Sequence, residues 1–127
     1  MRFLLTLAVA LGLASPALAA RDFRIGTERF AESDILDARA LPSADGTPVV
    51  MITLTEAAAP RLKKLTEAML GKPLPILLDG KQLMAPVVRD AIAGGVLEIS
   101  GLKGFPESEL LAFKIAGKPP VPDSLEE

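Results

Sequence analysis

The chain has 127 residues, 14 Lys and Arg against 16 Asp and Glu, a formal net charge of −2, and no His, Cys, Tyr or Trp. That composition excludes Ser-His and Cys-His nucleophilic pairs, the usual zinc ligands and disulfide staples. It also argues against a nucleic acid partner, which would call for a basic face.

Met1-Arg2 opens an apolar run from Phe3 to about Leu13, closed by Ser15-Pro16 and Ala17-Leu18-Ala19. A charged start, a short apolar core and a small-x-small site describe a cleaved signal peptide over 1–19. The run is shorter than the ~20 residues a membrane-spanning helix needs, so no membrane span is expected after cleavage. Cutting after Ala19 leaves 108 residues with 13 basic and 16 acidic side chains, a net charge of −3. That length suits one domain with its own core.

Residues 20–33 read as an N-terminal extension with a possible short strand over Asp22–Gly26, followed by a connection through Ser33 that carries Phe30. The domain proper is expected over 34–117. Asp34–Leu41 alternates loosely and reads as a strand; Pro42–Thr47 is dense in turn formers and predicts a hairpin loop. Val49–Leu54, rich in β-branched residues and apolar on both faces, reads as a central strand. Thr55 offers an N-cap for a helix that places Ala58, Leu62, Leu65 and Met69 on one stripe, with Gly71 as its stop. That start puts Pro60 at the fifth helical position, where a backbone bond is lost.

The stretch Gly71–Pro86 is the strongest local signal. Leu74–Leu78 and Lys81–Val88 flank Asp79-Gly80, the pair a type I′ hairpin turn asks for. Pro73 and Pro75 place the beginning of the first strand at an edge or outside regular pairing, and Pro86 predicts a bend in the second. Gly94-Gly95 precedes a half-buried strand, Val96–Ser100, and Pro106–Ala116 predicts a second helix stopped by Gly117. Lys118–Glu127, proline-rich and acidic, reads as a mobile tail. The order β-β-α-β-β-β-α makes an α+β fold, a two-layer sandwich of a largely antiparallel sheet with two helices on one face.

Candidate chemistry is sparse. Asp34 and Asp37 read as a solvated strand end rather than a cation site, since a hard cation needs six or more oxygens. Asp79 reads as a turn residue rather than an acid, and Ser100 with Lys103 sits on no nucleophile turn. No cofactor, metal or catalytic residue is assigned. A carboxylate-based hydrolase would have to draw its pair from Asp34, Asp37, Asp90 and Glu98, at ~5–9.5 Å across a cleft. A third option is a secreted structural, inhibitory or interaction domain whose loops, Pro42–Thr47 or Gly101–Phe105, engage one target enzyme. The second helix is apolar nearly all round, so part of it is expected to face a partner, with Leu111, Phe113 and Ile115 as the candidate residues.

The series DILDARA (Asp34–Ala40), VVMITLT (Val49–Thr55), LKKLTEAMLGKPLPILLDGKQLMAPVV (Leu62–Val88) and IAGGVLEISG (Ile92–Gly101) resembles the head subdomain of the first periplasmic domain of SecD, here without the transmembrane helices of that family. The resemblance covers about Ser33 to Ala116. It implies the same fold, a periplasmic location and a non-enzymatic module that binds unfolded or partly folded polypeptide or an envelope protein, linked to protein export. None of the family's proton-coupling residues has a counterpart in these motifs, and oligomeric state is not implied.

Overall fold

A computed structural model describes residues 21–122; the signal peptide read over 1–19 and the end of the tail lie outside them. Seven strands and two helices follow in the order β1 (Phe23–Ile25), β2 (Glu28–Phe30), β3 (Ile35–Pro42), β4 (Pro48–Leu54), α1 (Ala59–Ala68), β5 (Ile76–Leu78), β6 (Lys81–Met84), β7 (Val96–Ile99) and α2 (Phe105–Ala116). The fold is α+β and every strand pairing within its sheets is antiparallel. The strands divide between two sheets rather than one, in the orders β2-β1-β5-β6 and β3-β4-β7. α2 lies against β3 and β4, whereas α1 reaches the β1–β2 hairpin through Arg61 and Leu65.

The first sheet begins in the segment read as an extension. Gly26-Thr27 closes β1 on β2, with Phe23 opposite Phe30 and Ile25 opposite Glu28. Gly26 has φ +63° and Thr27 does not share the positive sign, the pattern of a type II′ turn. Phe23, Ile25 and Phe30 are all fully buried, so this hairpin contributes side chains to the core. The strands are three residues long, shorter than the periodicity needed to recognise them.

The Asp79-Gly80 turn joins β5 to β6 with φ +52° and +84°, both central residues left-handed as a type I′ turn requires. Asp79 is fastened by more than its turn: its Oδ1 accepts the Asp22 N–H at 2.8 Å and its own N–H donates to the Asp22 carbonyl at 2.7 Å. β6 ends at Met84. Beyond Pro86 the chain runs beside 70–74, where Leu74 N–H bonds the Pro86 carbonyl at 2.8 Å and Val88 N–H the Lys72 carbonyl at 3.0 Å. Pro73 and Pro75 fall before β5, so neither has to donate within the sheet.

The loose alternation of β3 has a cause. A bulge between Ile35 and Asp37 inserts Leu36, which is exposed, and lets Ile35 and Ala38 both enter the core. α1 starts at Ala59, four residues after the expected cap. Pro60 then lies in the first turn, where no backbone donor is needed. Thr55 instead closes the preceding turn, its carbonyl accepting Ala58 N–H at 3.1 Å and Ala59 N–H at 2.9 Å. One continuous core joins both sheets and both helices, through Phe23, Phe30, Ile52, Leu62, Ile76, Ile99 and Ile115.

Candidate functional site

α2 is built to bury one side. Pro106 and Glu107 occupy its first turn, and Glu107 reaches back to accept the Lys103 N–H at 2.9 Å. Ser108, Ala112, Ile115 and Ala116 are buried at helical spacing. The Ser108 hydroxyl, fully buried, is satisfied by the Gly104 carbonyl at 2.7 Å. Of the three residues expected to face a partner, Ile115 is 0% exposed and belongs to the core, Leu111 is partly buried against it, and Phe113 is 48% exposed. Positions 111 and 115 lie one above the other, while 113 points away from both. Leu110, 55% exposed and three residues before Phe113, shares the outer side in place of Ile115.

That outer side flanks a groove of about 900 Å³. Leu110, Leu111 and Phe113 form one wall, Leu78, Asp79, Lys81 and Leu83 of the β5–β6 hairpin the other, and Leu102 contributes between them. Charges of both signs stand at the rim: Arg21, Lys81 and Lys114 against Glu32, Asp79 and Glu107. β6 is the outermost strand of its sheet on this side. The apolar side chains of the groove thus adjoin a hairpin whose second strand is an edge strand, and an extended peptide can bind in a groove or by strand addition.

Arg21 ties two sides of the groove's rim together. Its Nε and Nη2 donate to the Ile115 carbonyl at 2.8 and 2.7 Å, and its Nη1 to the Phe30 carbonyl at 2.5 Å. A cation at the carbonyl end of α2 meets the negative pole of the helix, and the same guanidinium ties that end to β2. Burial lowers the Arg21 pKa from its usual value, with Glu32 opposing the shift. The Glu32 carboxylate packs over Gly117, where a side chain would collide with it.

The carboxylates weighed as a catalytic pair do not meet in a cleft. Asp34 Oδ2 accepts the Ala31 N–H at 2.8 Å and pairs with Arg61 at 3.1 Å. Asp37 is engaged by Arg39 and Val121. Asp90 and Glu98 are exposed, and none of the four lines the groove or the smaller hollow of about 480 Å³ beside Thr55 and Lys63. The Pro42–Thr47 loop is closed on itself: Asp45 Oδ1 accepts the Ser43 hydroxyl at 2.5 Å, the Thr47 hydroxyl at 2.7 Å and the Thr47 N–H at 3.1 Å. Those bonds lower the Asp45 pKa to about 2.

Residues 19–118 match the family model described as SecDF, P1 head subdomain. The chain belongs to the SecDF P1 head subdomain family. It is similar to the protein translocase subunit SecDF of Thermus thermophilus, 37% identical over 99 residues, covering 77% of this chain and 14% of that protein. It is 39% identical over 89 residues to the protein translocase subunit SecD of Acidaminococcus fermentans, covering 69% of this chain and 21% of that protein. The chain thus spans about a fifth or less of these relatives' length. Among solved structures, it superposes with a TM-score of 0.66 and 32% identity on a membrane component SecDF that enhances protein export, covering 77% of this chain and 46% of that one. The crystal structure of SecDF in a super-membrane-facing form also gives 0.66, at 35% identity over 73% of this chain and 12% of that one. Among the described residues of this head domain, no helix is long and apolar enough to cross a membrane.

Arg21, which lines the groove and ties the end of α2 to β2, was not legible as a site-building residue. One signal was available for the first hairpin: FRI and ERF alternate on either side of Gly26-Thr27, a two-residue loop with Gly in first place.

Proposed function

We propose that this SecD-head-like domain is a non-enzymatic module of the periplasm, exported by its cleaved signal peptide, that holds segments of unfolded polypeptide during protein export or envelope protein handling. The observation that carries the reading is the groove between α2 and β6, where Leu110 and Phe113 stay exposed beside a strand edge on a domain that otherwise has a continuous core. An unfolded chain offers what such a site takes: apolar side chains for Phe113 and Leu83, and backbone donors and acceptors for the β6 edge. The mixed charge of the rim suits clients of varied composition, since no single sign is selected. Membership in a family whose members are protein translocase subunits supports the same reading.

The test is site-specific crosslinking. A photoreactive phenylalanine analogue in place of Phe113 should trap a reduced, alkylated model polypeptide that cannot refold, and its folded parent should not be trapped. Equal trapping of folded and unfolded forms, or none, contradicts the proposal.

A further inference from the structure

Away from the groove, on the far edge of the second sheet, the segment after α2 is gripped in an unusual way. Lys118 to Val121 runs beside β3, the outermost strand of the order β3-β4-β7. Among the described residues its attachments to β3 are made by side chains. Lys118 Nζ donates to the Ile35 carbonyl at 3.0 Å. Asp37 Oδ1 accepts the Val121 N–H at 2.8 Å, and Arg39 Nη2 donates to the Val121 carbonyl at 2.5 Å. Asp37 Oδ2 takes the Arg39 Nε at 2.7 Å, which locks the two side chains to each other. One residue thus has its backbone donor and its backbone acceptor read by a matched pair, while its own side chain is left at the surface.

The sequence of the segment sharpens this. In Lys118-Pro119-Pro120-Val121-Pro122 the three prolines carry no N–H, so after Lys118 the only backbone donor is that of Val121. That donor is the one Asp37 accepts. A residue before proline is also biased to an extended backbone. Asp37 itself is only 9% exposed. A carboxylate costs free energy to bury unless it is paired and hydrogen-bonded, and a bare strand edge is protected well enough by an exposed Lys or Pro.

We propose that Asp37 and Arg39 form a clamp for the backbone N–H and C=O of one residue of an extended polypeptide, indifferent to side chain, and that Val121 fills it in cis. The ligand in trans is a stretch of extended polypeptide offering one N–H and one C=O to the β3 edge; the tail is its tethered competitor. A tethered occupant is present at an effective concentration of order mM, so the clamp takes a free segment only when the tail has left it. The clamp is separate from the α2–β6 groove, and either can fail without the other.

The experiment uses the full chain with Val121→Pro, which removes the one N–H that Asp37 accepts and leaves Asp37 and Arg39 untouched. The probe is the blocked peptide acetyl-Lys-Pro-Pro-Val-Pro-amide, followed by NMR through the Arg39 side-chain N–H and the β3 amides. The Val121→Pro chain should bind the probe about tenfold more tightly than the parent chain. The same peptide N-methylated at its valine should not bind, and Asp37→Asn added to Val121→Pro should abolish binding of the unmodified probe. Equal binding by parent and Val121→Pro chains, no shift at Arg39, or equal binding of the N-methylated peptide overturns the proposal. The N-methylated arm needs no change at Asp37, so it decides the matter even where Asp37→Asn unfolds the chain.

Discussion

The two helices are of similar length and treat their side chains in opposite ways. α1 has committed nearly everything on its inner and flanking sides. Thr66, fully buried, donates to the Leu62 and Lys63 carbonyls at 2.9 and 3.0 Å and accepts the Ile92 N–H at 2.9 Å. Arg61 bonds Glu28 at 2.7 Å, Asp34 at 3.1 Å and the Arg29 carbonyl at 2.5 Å, and lies 4.5 Å from the centre of the Phe30 ring. Its outward residues, Lys63, Lys64 and Glu67, are charged. α2 buries a similar stripe yet turns Leu110 and Phe113 outward. Exposed apolar side chains on one helix, beside a groove, in a domain whose other helix is conventionally amphipathic, are what the proposal of a polypeptide-binding surface on the α2 side rests on.

Substitutions on the two helices should therefore part company. The largest effect is expected for Thr66→Val, which removes the partner of the partly buried Ile92 N–H and both hydroxyl bonds at nearly constant volume; a loss of about 2 kcal/mol is expected in urea unfolding. Arg61→Met should follow, at about 1–2 kcal/mol, because Glu28 and Asp34 lose their cation and Phe30 loses its cover. An unchanged midpoint for either variant would break the contrast from the α1 side. Gly80→Val, at the hairpin tip, meets no neighbour within 4 Å, so only its left-handed backbone opposes it; about 1 kcal/mol is expected. On α2, Leu110→Ser with Phe113→Ser should change stability by no more than about 0.5 kcal/mol while abolishing capture of unfolded polypeptide. A large loss of stability there would mean the outer side of α2 is structural.

The smallest effect concerns pH and lies outside both helices. The Asp45 pKa is depressed in the folded chain to about 2, below its ordinary 3.8, by its hydrogen bonds from Ser43 and Thr47. Its contribution is therefore complete above pH 3.8 and fades as pH falls through about 2. A carboxyl-carbon NMR titration should give that midpoint for Asp45, and a midpoint near 3.8 would show that the loop is open in solution. Asp37 is shifted in the same direction: burial raises its pKa, and the bonds from Arg39 and Val121 with the charges of Arg39 and Lys118 outweigh it.

Much of this contrast was legible in the residues. The Asp79-Gly80 turn, the β4 strand, the stripe on α1 and the apolar excess of α2 follow from spacing and turn chemistry alone, and the α+β class follows from their order. Of the residues expected on the outer side of α2, Phe113 is exposed, whereas Ile115 faces inward because 113 and 115 cannot share a helix face. The division into two sheets was not legible. It depends on β1 meeting β5 across 50 residues, and strands of three residues carry too little periodicity to announce such a pairing. Residues 118–122 were read as part of a mobile tail, yet Lys118 and Val121 are held by β3. Nothing in a proline-rich composition points to a partner 84 positions away, which only the folded topology supplies.

The central claim, that unfolded polypeptide binds between α2 and β6, is tested most directly by a two-dimensional NMR titration of the domain with a reduced, alkylated model polypeptide. The account predicts that the signals of Lys81 to Leu83, Leu102, Leu110 and Phe113 shift together and saturate, while those of Lys63, Lys64 and Glu67 on α1 stay in place. Shifts confined to α1, or spread evenly over the surface without saturating, would contradict it.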